Sequence, residues 1–284
     1  MSKVILVTGT STGLGVAIAT QAAAAGHRVY ASMRNTEKRG QLDAAAEAAG
    51  VALEVLQLDV QDSASVTEAV ETVVRREGRI DVLINNAGMG YARSLEQAEE
   101  ADLERIVDIN FTGVMRCTKA VMPHMRAARS GHVINITSVG GLVGQPFNEV
   151  YCGAKFAVEG LTEAMASYIT PAFSIQFTAV EPGGIATEFV NTVMGQLEAT
   201  GGLLEDEYLP VLQRYISGAT KRQAYGASQS AEEVAEVVMQ ALSAEEPPLR
   251  IRTSEWSEEF TRLKTGLDPD GLKQQRAVVA QFLP

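Results

Sequence analysis

Residues 3–15 read KVILVTGTSTGLG, a continuous apolar run that passes directly into a glycine-rich turn. An uninterrupted run of this kind predicts a strand that is buried on both faces, as in a parallel sheet. The glycines let the backbone turn tightly and approach a ligand without a Cβ in the way. The helix predicted over Gly13–Ala25 would point its first N–H groups at the same place. The stretch therefore predicts a strand–turn–helix unit with room for a pyrophosphate at the turn.

The alternation of strand and helix continues to about residue 185. The predicted strands are 3–8, 28–33, 52–58, 80–84, 132–137, 175–180 and 249–253. The predicted helices are 13–25, 37–49, from 62 or 63 to 77, 101–128, 150–170 and 231–243, and the tail 254–284 has no sharp pattern. Repeated β-α-β units predict an α/β fold with a doubly wound parallel sheet of the Rossmann type.

The length of 284 residues allows one large domain or two small ones. No repeat or low-complexity linker marks a boundary, so we expect a single dinucleotide-binding domain over residues 1–284. The glycine-containing segment 188–228 is predicted to be a helical lid over the site, or alternatively a dimer surface. Residues 254–284 are then a C-terminal extension.

Charge and composition argue against several classes of protein. The net charge of −11 without a basic stripe is poorly suited to a phosphate backbone, which argues against nucleic-acid binding. Two cysteines and three separated histidines give neither a disulfide framework nor a metal-ligand spacing. There is no signal-peptide pattern and no apolar run of about 18 residues. We therefore expect a cytoplasmic protein without a metal site or a membrane segment.

The end of the second predicted strand bears on the choice of nucleotide. An acidic residue there, about 20 residues beyond the glycine turn, would hold the adenosine ribose and favour NAD. Arg34 stands in that place, and the nearest acid is Glu37. A guanidinium matches the geometry of a 2′-phosphate, and Lys38 and Arg39 complete a basic cluster. The sequence favours NADP(H) over NAD(H), and the alternative is that Arg34 is a solvated surface charge.

Tyr151 and Lys155 are candidates for proton transfer because positions i and i+4 share one face of a helix. A nearby ammonium favours the phenolate, which would lower the tyrosine pKa from about 10 toward neutral pH. Ser138 follows the fifth predicted strand, at the edge where doubly wound sheets bind ligands. Taken alone, the Tyr-x-x-x-Lys spacing is common by chance. After a nucleotide-binding turn, the three residues together predict hydride transfer at a carbonyl.

The motifs and their order resemble the short-chain dehydrogenase/reductase family, of the single-domain type. The resemblance covers about residues 3–190 and, more weakly, 231–253, with a fainter likeness to steroid- and retinol-type members at 29–34 and 247–256. The matching motifs are the turn Gly9-x-x-x-Gly13-x-Gly15, Asp59-Val60, Asn85-Asn86-Ala87-Gly88, Asn110, Ser138, Tyr151, Lys155 and Pro182-Gly183-Gly184-Ile185-Ala186-Thr187.

The resemblance implies a role for each matched residue. Tyr151 would be the general acid or base, Lys155 would lower its pKa and hold the nicotinamide ribose, and Ser138 would orient the substrate oxygen. Asn110 would support a proton relay. The implied cofactor contacts are Gly9, Ser11, Thr12, Gly13, Leu14, Gly15, Arg34, Asp59, Val60, Asn86, Ala87, Gly88, Tyr151, Lys155, Pro182, Gly183, Ile185 and Thr187. The implied partners are a small-molecule carbonyl or alcohol and further copies of the chain, as a homodimer or homotetramer.

Several alternatives stay open at this point. One alternative is an NAD-dependent alcohol dehydrogenase of the same family, and the cofactor selectivity of Arg34 decides between the two. A nucleotide-sugar epimerase or dehydratase also uses a tyrosine and a lysine beside a nucleotide, and a cofactor-sensing protein without catalysis is a third class. The apolar side chains that could line a substrate pocket, or belong to the core, are Leu142, Val143, Phe147, Phe189 and Met194.

Overall fold

The computed structural model of the chain describes residues 2–186, 195, 198, 201–224 and 228–282. The strands are β1 Val4–Thr8, β2 Arg28–Met33, β3 Glu54–Gln57, β4 Val82–Asn85, β5 Gly131–Ile136, β6 Ile175–Glu181, β7 Gly184–Ile185, β8 Ser228–Gln229 and β9 Arg250–Arg252. The helices are α1 Gly13–Ala24, α2 Gly40–Ala49, α3 Ser63–Glu77, α4 Glu100–Val107, α5 Gly113–Ala128, α6 Glu149–Phe173, α7 Leu209–Ala224, α8 Ala231–Ser243, α9 Glu255–Thr265 and α10 Leu272–Phe282.

Seven strands form one sheet in the order β3-β2-β1-β4-β5-β6-β9, and every neighbouring pair is parallel. The chain runs outward from β1 to β3 and then returns to β4, which lies on the other side of β1. The strand order therefore reverses between β1 and β4, where doubly wound sheets hold ligands at the carboxyl edge. The predicted α/β fold of Rossmann type is confirmed.

Alternating side chains of the central strands enter two separate cores, because successive residues of a strand point to opposite faces. Ile5 and Val7 of β1 pack with α1 and α8 in one core. Val4 and Leu6 pack with α3, α5 and α6 in the other. All four side chains are nearly inaccessible to solvent, which explains the uninterrupted apolar run in the sequence.

Two predicted helices differ from the observed ones. The pattern over 101–128 predicts one helix, whereas residues Asp108–Thr112 form a π turn between α4 and α5. The wider turn places Asn110 in the interior, with none of its surface exposed. The pattern over 37–49 also predicts one helix, but Thr36–Lys38 is a separate 3-10 turn before α2.

The tail contains two helices that the sequence pattern did not predict. The face that α9 buries consists of Ser257, Thr261 and Thr265, while Leu263 on the same helix is 98% exposed. Small polar residues on the buried face remove the apolar period that would have indicated an amphipathic helix. Ser254 caps the helix by accepting a hydrogen bond from the Ser257 backbone N–H.

The predicted lid lies only partly within the described residues. Helix α7 and strand β8 belong to it, and β8 pairs in parallel with β7 in a second, two-stranded sheet. Residues 188–194, 196, 197, 199, 200 and 225–227 of the predicted lid lie outside the described part of the chain. Among the helices that the structure describes, none is long and apolar enough to cross a bilayer.

Candidate active site

A cleft of about 1410 Å³ opens at the carboxyl edge of the sheet. It is lined by every predicted site residue within the described part of the chain: Gly9, Ser11, Thr12, Gly13, Leu14, Gly15, Arg34, Asp59, Val60, Asn86, Ala87, Gly88, Asn110, Ser138, Tyr151, Lys155, Pro182, Gly183 and Ile185. Thr187, also predicted, lies outside the described residues. The described residues contain no group of His, Cys, Asp and Glu side chains that could hold a metal ion.

The glycine turn is fixed to the segment that follows β4. The hydroxyl of Thr8 accepts hydrogen bonds from the backbone N–H groups of Asn86 and Ala87, both at 3.0 Å. The Asn86 side-chain amide donates to the carbonyl oxygens of Thr8 and Gly9, both at 2.9 Å. A Cβ on Gly15 would lie 2.2 Å from the Gly9 carbonyl oxygen. Gly15 therefore admits no side chain without a shift of the turn.

The first turn of α1 offers an anion site. Thr12 is the N-cap residue, but its side chain makes no capping hydrogen bond. The residues of this first turn, Gly13, Leu14 and Gly15, line the cleft. The first N–H groups of a helix have no partner within the helix, and they lie at the positive end of its dipole. This terminus can therefore bind a pyrophosphate, as the sequence predicts.

Arg34 lies at the rim of the cleft, directly after β2. Of the predicted basic cluster, only Arg34 lines the cleft. Arg39 instead forms an ion pair with Asp43 at 2.7 Å. Glu37 is not among the lining residues. The exposed Arg34 guanidinium makes no ion pair with a described residue. A cation rather than an acid thus faces the place expected for the adenosine ribose.

Tyr151 and Ser138 come together across the cleft from different elements. Tyr151 is in the first turn of α6, and its hydroxyl shares a hydrogen bond with that of Ser138. Ser138 follows β5, and its hydroxyl oxygen accepts a hydrogen bond from the Gly140 backbone N–H at 2.9 Å. The Ser138 hydroxyl also lies 3.5 Å from the Pro182 carbonyl oxygen, to which it can donate. The hydroxyl is therefore held in place beside Tyr151.

Lys155 occupies the next turn of α6 and is 5% exposed. Its Nζ donates to the carbonyl oxygen of Ile136 at 2.9 Å and lies 5.7 Å from the centroid of the Tyr151 ring. Burial lowers the pKa of Lys155 to about 8. The ammonium thus lies near the phenol without pairing with it.

The tyrosine pKa differs from the sequence expectation. The sequence predicts a lowered pKa for Tyr151 because of Lys155, whereas burial raises the pKa of Tyr151 to about 12. The hydrogen bond from Ser138 opposes the shift without reversing it. The physical reason is that removal from water disfavours the charged form of both groups, the phenolate as well as the ammonium.

Asn110 is held by three hydrogen bonds in the π turn. Its side-chain amide donates to the carbonyl oxygens of Met89 at 2.9 Å and Ile106 at 3.0 Å, and its Oδ1 accepts from the Met89 N–H at 3.1 Å. A Cβ on Gly88 would lie 2.9 Å from that Oδ1 and 3.7 Å from Lys155 Nζ. Asn110 and Lys155 therefore both lie beside Gly88, where a side chain would collide with the Asn110 amide oxygen.

The sequence patterns did not indicate several aromatic residues of the cleft wall. Trp256 and Phe260 of α9 line it with their rings stacked at 4.8 Å, and Tyr215 of α7 also lines it. Of the apolar candidates named from the sequence, only Val143 is a lining residue. Leu142 and Phe147 are buried side chains that do not line the cleft, and Phe189 and Met194 lie outside the described residues.

Comparison with known proteins gives the family. Residues 3–197 match the family described as short chain dehydrogenase. The chain is 39% identical over 274 residues to 17-beta-hydroxysteroid dehydrogenase type 1 of Homo sapiens, which covers 94% of this chain and 82% of that protein. It is 36% identical over 282 residues to retinol dehydrogenase 8 of Bos taurus, with 95% and 86% covered.

A solved structure of actinorhodin polyketide ketoreductase with NADPH superposes with a TM-score of 0.72 at 30% identity, covering 84% of this chain and 89% of that one. This chain belongs to the short chain dehydrogenase family, and it is an oxidoreductase of that family. The family predicted from the motifs, and the likeness to steroid- and retinol-type members, are confirmed.

Proposed function

We propose that the protein is an NADP(H)-dependent oxidoreductase that interconverts a small-molecule ketone and the corresponding secondary alcohol, with Tyr151 as general acid and base. The observation that carries this proposal is the hydrogen bond between Tyr151 and Ser138 in the same cleft as the glycine turn. A phenol and a hydroxyl that meet in this way can both reach one substrate oxygen.

The residues present fit a nicotinamide dinucleotide. The uncapped start of α1 would hold the pyrophosphate, Asp59 and Val60 would contact the adenine, and Pro182, Gly183, Ile185 and Thr187 would contact the nicotinamide end. Lys155, which lines the same cleft beside Gly88, would hold the nicotinamide ribose. When bound, the nicotinamide supplies or accepts the hydride.

The electrostatics of the site favour reduction. With a pKa raised to about 12, Tyr151 carries its proton at neutral pH and is able to donate it to a carbonyl oxygen. Ser138 would hold that oxygen through its fixed hydroxyl. Lys155 would stabilise the tyrosinate that forms, and a water beside Asn110 would return the proton to Tyr151.

The preference for NADP(H) rests on Arg34. Its guanidinium lines the cleft directly after β2, and the nearest acid of the sequence, Glu37, does not line the cleft. A guanidinium can pair with a 2′-phosphate in a bidentate way, whereas NAD has no such group. The alternative is an NAD-dependent alcohol dehydrogenase, in which Arg34 would contribute no selectivity.

The aromatic wall favours an apolar substrate. Trp256 and Phe260 present stacked rings to the cleft, and the names of two relatives refer to a hydroxysteroid and to retinol.

We further propose that residues 1–284 act as one domain, that 188–228 cover the bound substrate as a lid, and that 254–284 contribute to substrate recognition. A cytoplasmic location and a homodimeric or homotetrameric assembly complete the proposal.

The test is to follow the absorbance of reduced cofactor while the protein is mixed with a panel of ketones and either NADPH or NADH. We expect consumption with at least one apolar ketone, and a higher kcat/KM for NADPH. Consumption with NADH alone would favour the NAD-dependent alternative. No consumption with any ketone, and none with secondary alcohols and the oxidised cofactors, would overturn the proposal. Conversion of a nucleotide sugar instead would favour an epimerase or dehydratase.

A further inference from the structure

Two buried glutamates lie behind the candidate active site. Glu159 is one helical turn beyond Lys155 on α6, and Glu181 is the last residue of β6. Glu159 is 6% exposed and Glu181 is fully buried. They are the only buried glutamates among the described residues, and no described aspartate is buried. None of the roles assigned to the cleft uses them.

The two carboxyl groups lie within hydrogen-bonding reach of each other. One oxygen of each, Oε1, is buried and has no donor among the described residues. Two carboxylates can only accept hydrogen bonds, so their contact requires that one of them keep its proton. A single proton on the pair turns one carboxyl into a donor and removes the repulsion between the two.

The surrounding charges indicate which carboxyl keeps the proton. Arg252, whose side chain is 2% exposed, contacts Glu181 Oε2 at 3.1 Å. That ion pair favours the charged form of Glu181. No ion pair joins Glu159 to a cation in the described residues. Burial and the charge of Glu181 raise the pKa of Glu159 well above its usual range, although a hydrogen bond from Thr137 and the charge of Arg250 oppose the shift. The proton therefore belongs mainly to Glu159.

The remaining charges near the pair are already matched. Arg250 pairs with Glu163, and the second nitrogen of Arg252 contacts Glu258 at 3.0 Å. Lys155 is the cation on the same helix, and it donates to a backbone carbonyl instead of a carboxylate. An ionised Glu159 would be an additional buried negative charge, which is costly without a partner. An ionised Glu159 would attract Lys155, which lies one helical turn away on α6.

We propose that Glu159 and Glu181 form a buried acid pair that holds one shared proton, and that Glu159, kept neutral in this way, positions Lys155 by leaving its ammonium without a competing carboxylate. Glu159 is thus a positioning residue that acts through Lys155. This inference rests on the proposed function for its kinetic consequence, while the shared proton is a property of the folded protein alone.

The first test is infrared spectroscopy of the wild-type protein at pH 7, with and without carbon-13 labelling of glutamate. We expect a carbonyl stretch of a protonated carboxylic acid that shifts on labelling, because exposed glutamates are ionised at this pH. Glu159→Gln should remove the band. Glu163→Gln, a matched change one turn further along α6 at a half-exposed residue, should leave it. A wild-type protein without the band, or a band that survives in Glu159→Gln, would overturn the proposal.

The second test is the pH dependence of kcat. A neutral Glu159 leaves the pKa of Lys155 lowered by burial, so Glu159→Gln and Glu163→Gln should both keep the alkaline limb in place. In Glu181→Gln the second carboxylate is removed and Glu159 can ionise, so its charge should raise the Lys155 pKa and move the alkaline limb upward by about half a pH unit or more. A purely structural role would lower kcat equally at all pH values, and an unmoved limb in Glu181→Gln would refute the positioning role. Should Glu159→Gln fail to fold, the labelled wild-type band still decides the shared proton, with or without turnover.

Discussion

The ammonium of Lys155 lies 5.7 Å from the centroid of the Tyr151 ring and donates to the Ile136 carbonyl oxygen rather than to the phenol. Each group is disfavoured in its charged form, so the pKa of Tyr151 is raised to about 12 and that of Lys155 is lowered to about 8. The protein thus holds a protonated phenol beside an ammonium whose pKa is lowered. This arrangement is suited to giving a proton to a substrate.

The pKa of Lys155 makes stability depend on pH. Because the folded-state pKa is about 8 and the ordinary value is 10.5, the unfolded chain binds more protons between these values. The lysine contribution to the free energy of unfolding therefore rises as the pH increases from about 8 to 10.5. Urea unfolding of the wild type and Lys155→Met at several pH values measures this. The free energy of unfolding of the wild type should rise relative to that of Lys155→Met as the pH increases from about 8 to 10.5, and a constant difference would contradict the buried-ammonium assignment.

Removal of the Arg34 guanidinium should weaken NADPH binding selectively. Hydrogen bonds to charged groups contribute about 1.5–3 kcal/mol, so Arg34→Ala should raise the Kd for NADPH about ten- to hundredfold. Binding of NADH should change little, because it has no 2′-phosphate. Arg39→Ala is the matched control, since Arg39 pairs with Asp43 and does not line the cleft. Equal losses for the two cofactors in Arg34→Ala would remove Arg34 from the phosphate site.

A methyl group at Gly15 should disturb the glycine turn. In Gly15→Ala the new Cβ would lie 2.2 Å from the Gly9 carbonyl oxygen and 2.6 Å from the Asn86 amide nitrogen, and such overpacking costs about 1–3 kcal/mol. Calorimetry should show a lower Tm and weaker NADPH binding. Gly160→Ala, at an exposed helix position with nothing within 4 Å, should instead stabilise the fold by up to about 1 kcal/mol. Unchanged binding in Gly15→Ala would argue against the turn as the cofactor site.

The aromatic wall should affect substrate binding more than the chemical step. Trp256→Ala removes the ring that stacks on Phe260 at 4.8 Å, so KM for a large apolar ketone should rise while kcat for a small ketone stays similar. Leu263→Ala on the same helix is the control, because that side chain is 98% exposed. If both variants change KM by the same factor, Trp256 is not a recognition residue.

The parts of the structure that depend on local patterns were predictable. The strand bounds of β1 and β2 and the helix Ala231–Ser243 follow from apolar runs and, for the helix, from the reciprocal capping contacts of Ser230 and Glu233. The candidate site residues that follow the strands line one cleft, since parallel strands bring their carboxyl ends to one edge.

The parts that depend on tertiary packing were not predictable. Helix α9 buries hydroxyl side chains, so its sequence lacks an apolar period. The pair Glu159 and Glu181 forms only when α6 packs on β6. The raised pKa of Tyr151 likewise arises from burial by distant segments, whereas the sequence shows only its helical neighbour Lys155.

The most direct test of the central claim is the rate of NADPH oxidation by Tyr151→Phe with a ketone that the wild type reduces. The substitution removes one hydroxyl and keeps the ring, so NADPH binding, measured by cofactor fluorescence, should be largely unchanged. Loss of a general acid should lower kcat by a factor of about 10²–10⁴. A variant that binds NADPH and turns over within a few-fold of the wild type would contradict the assignment of Tyr151 as the proton donor.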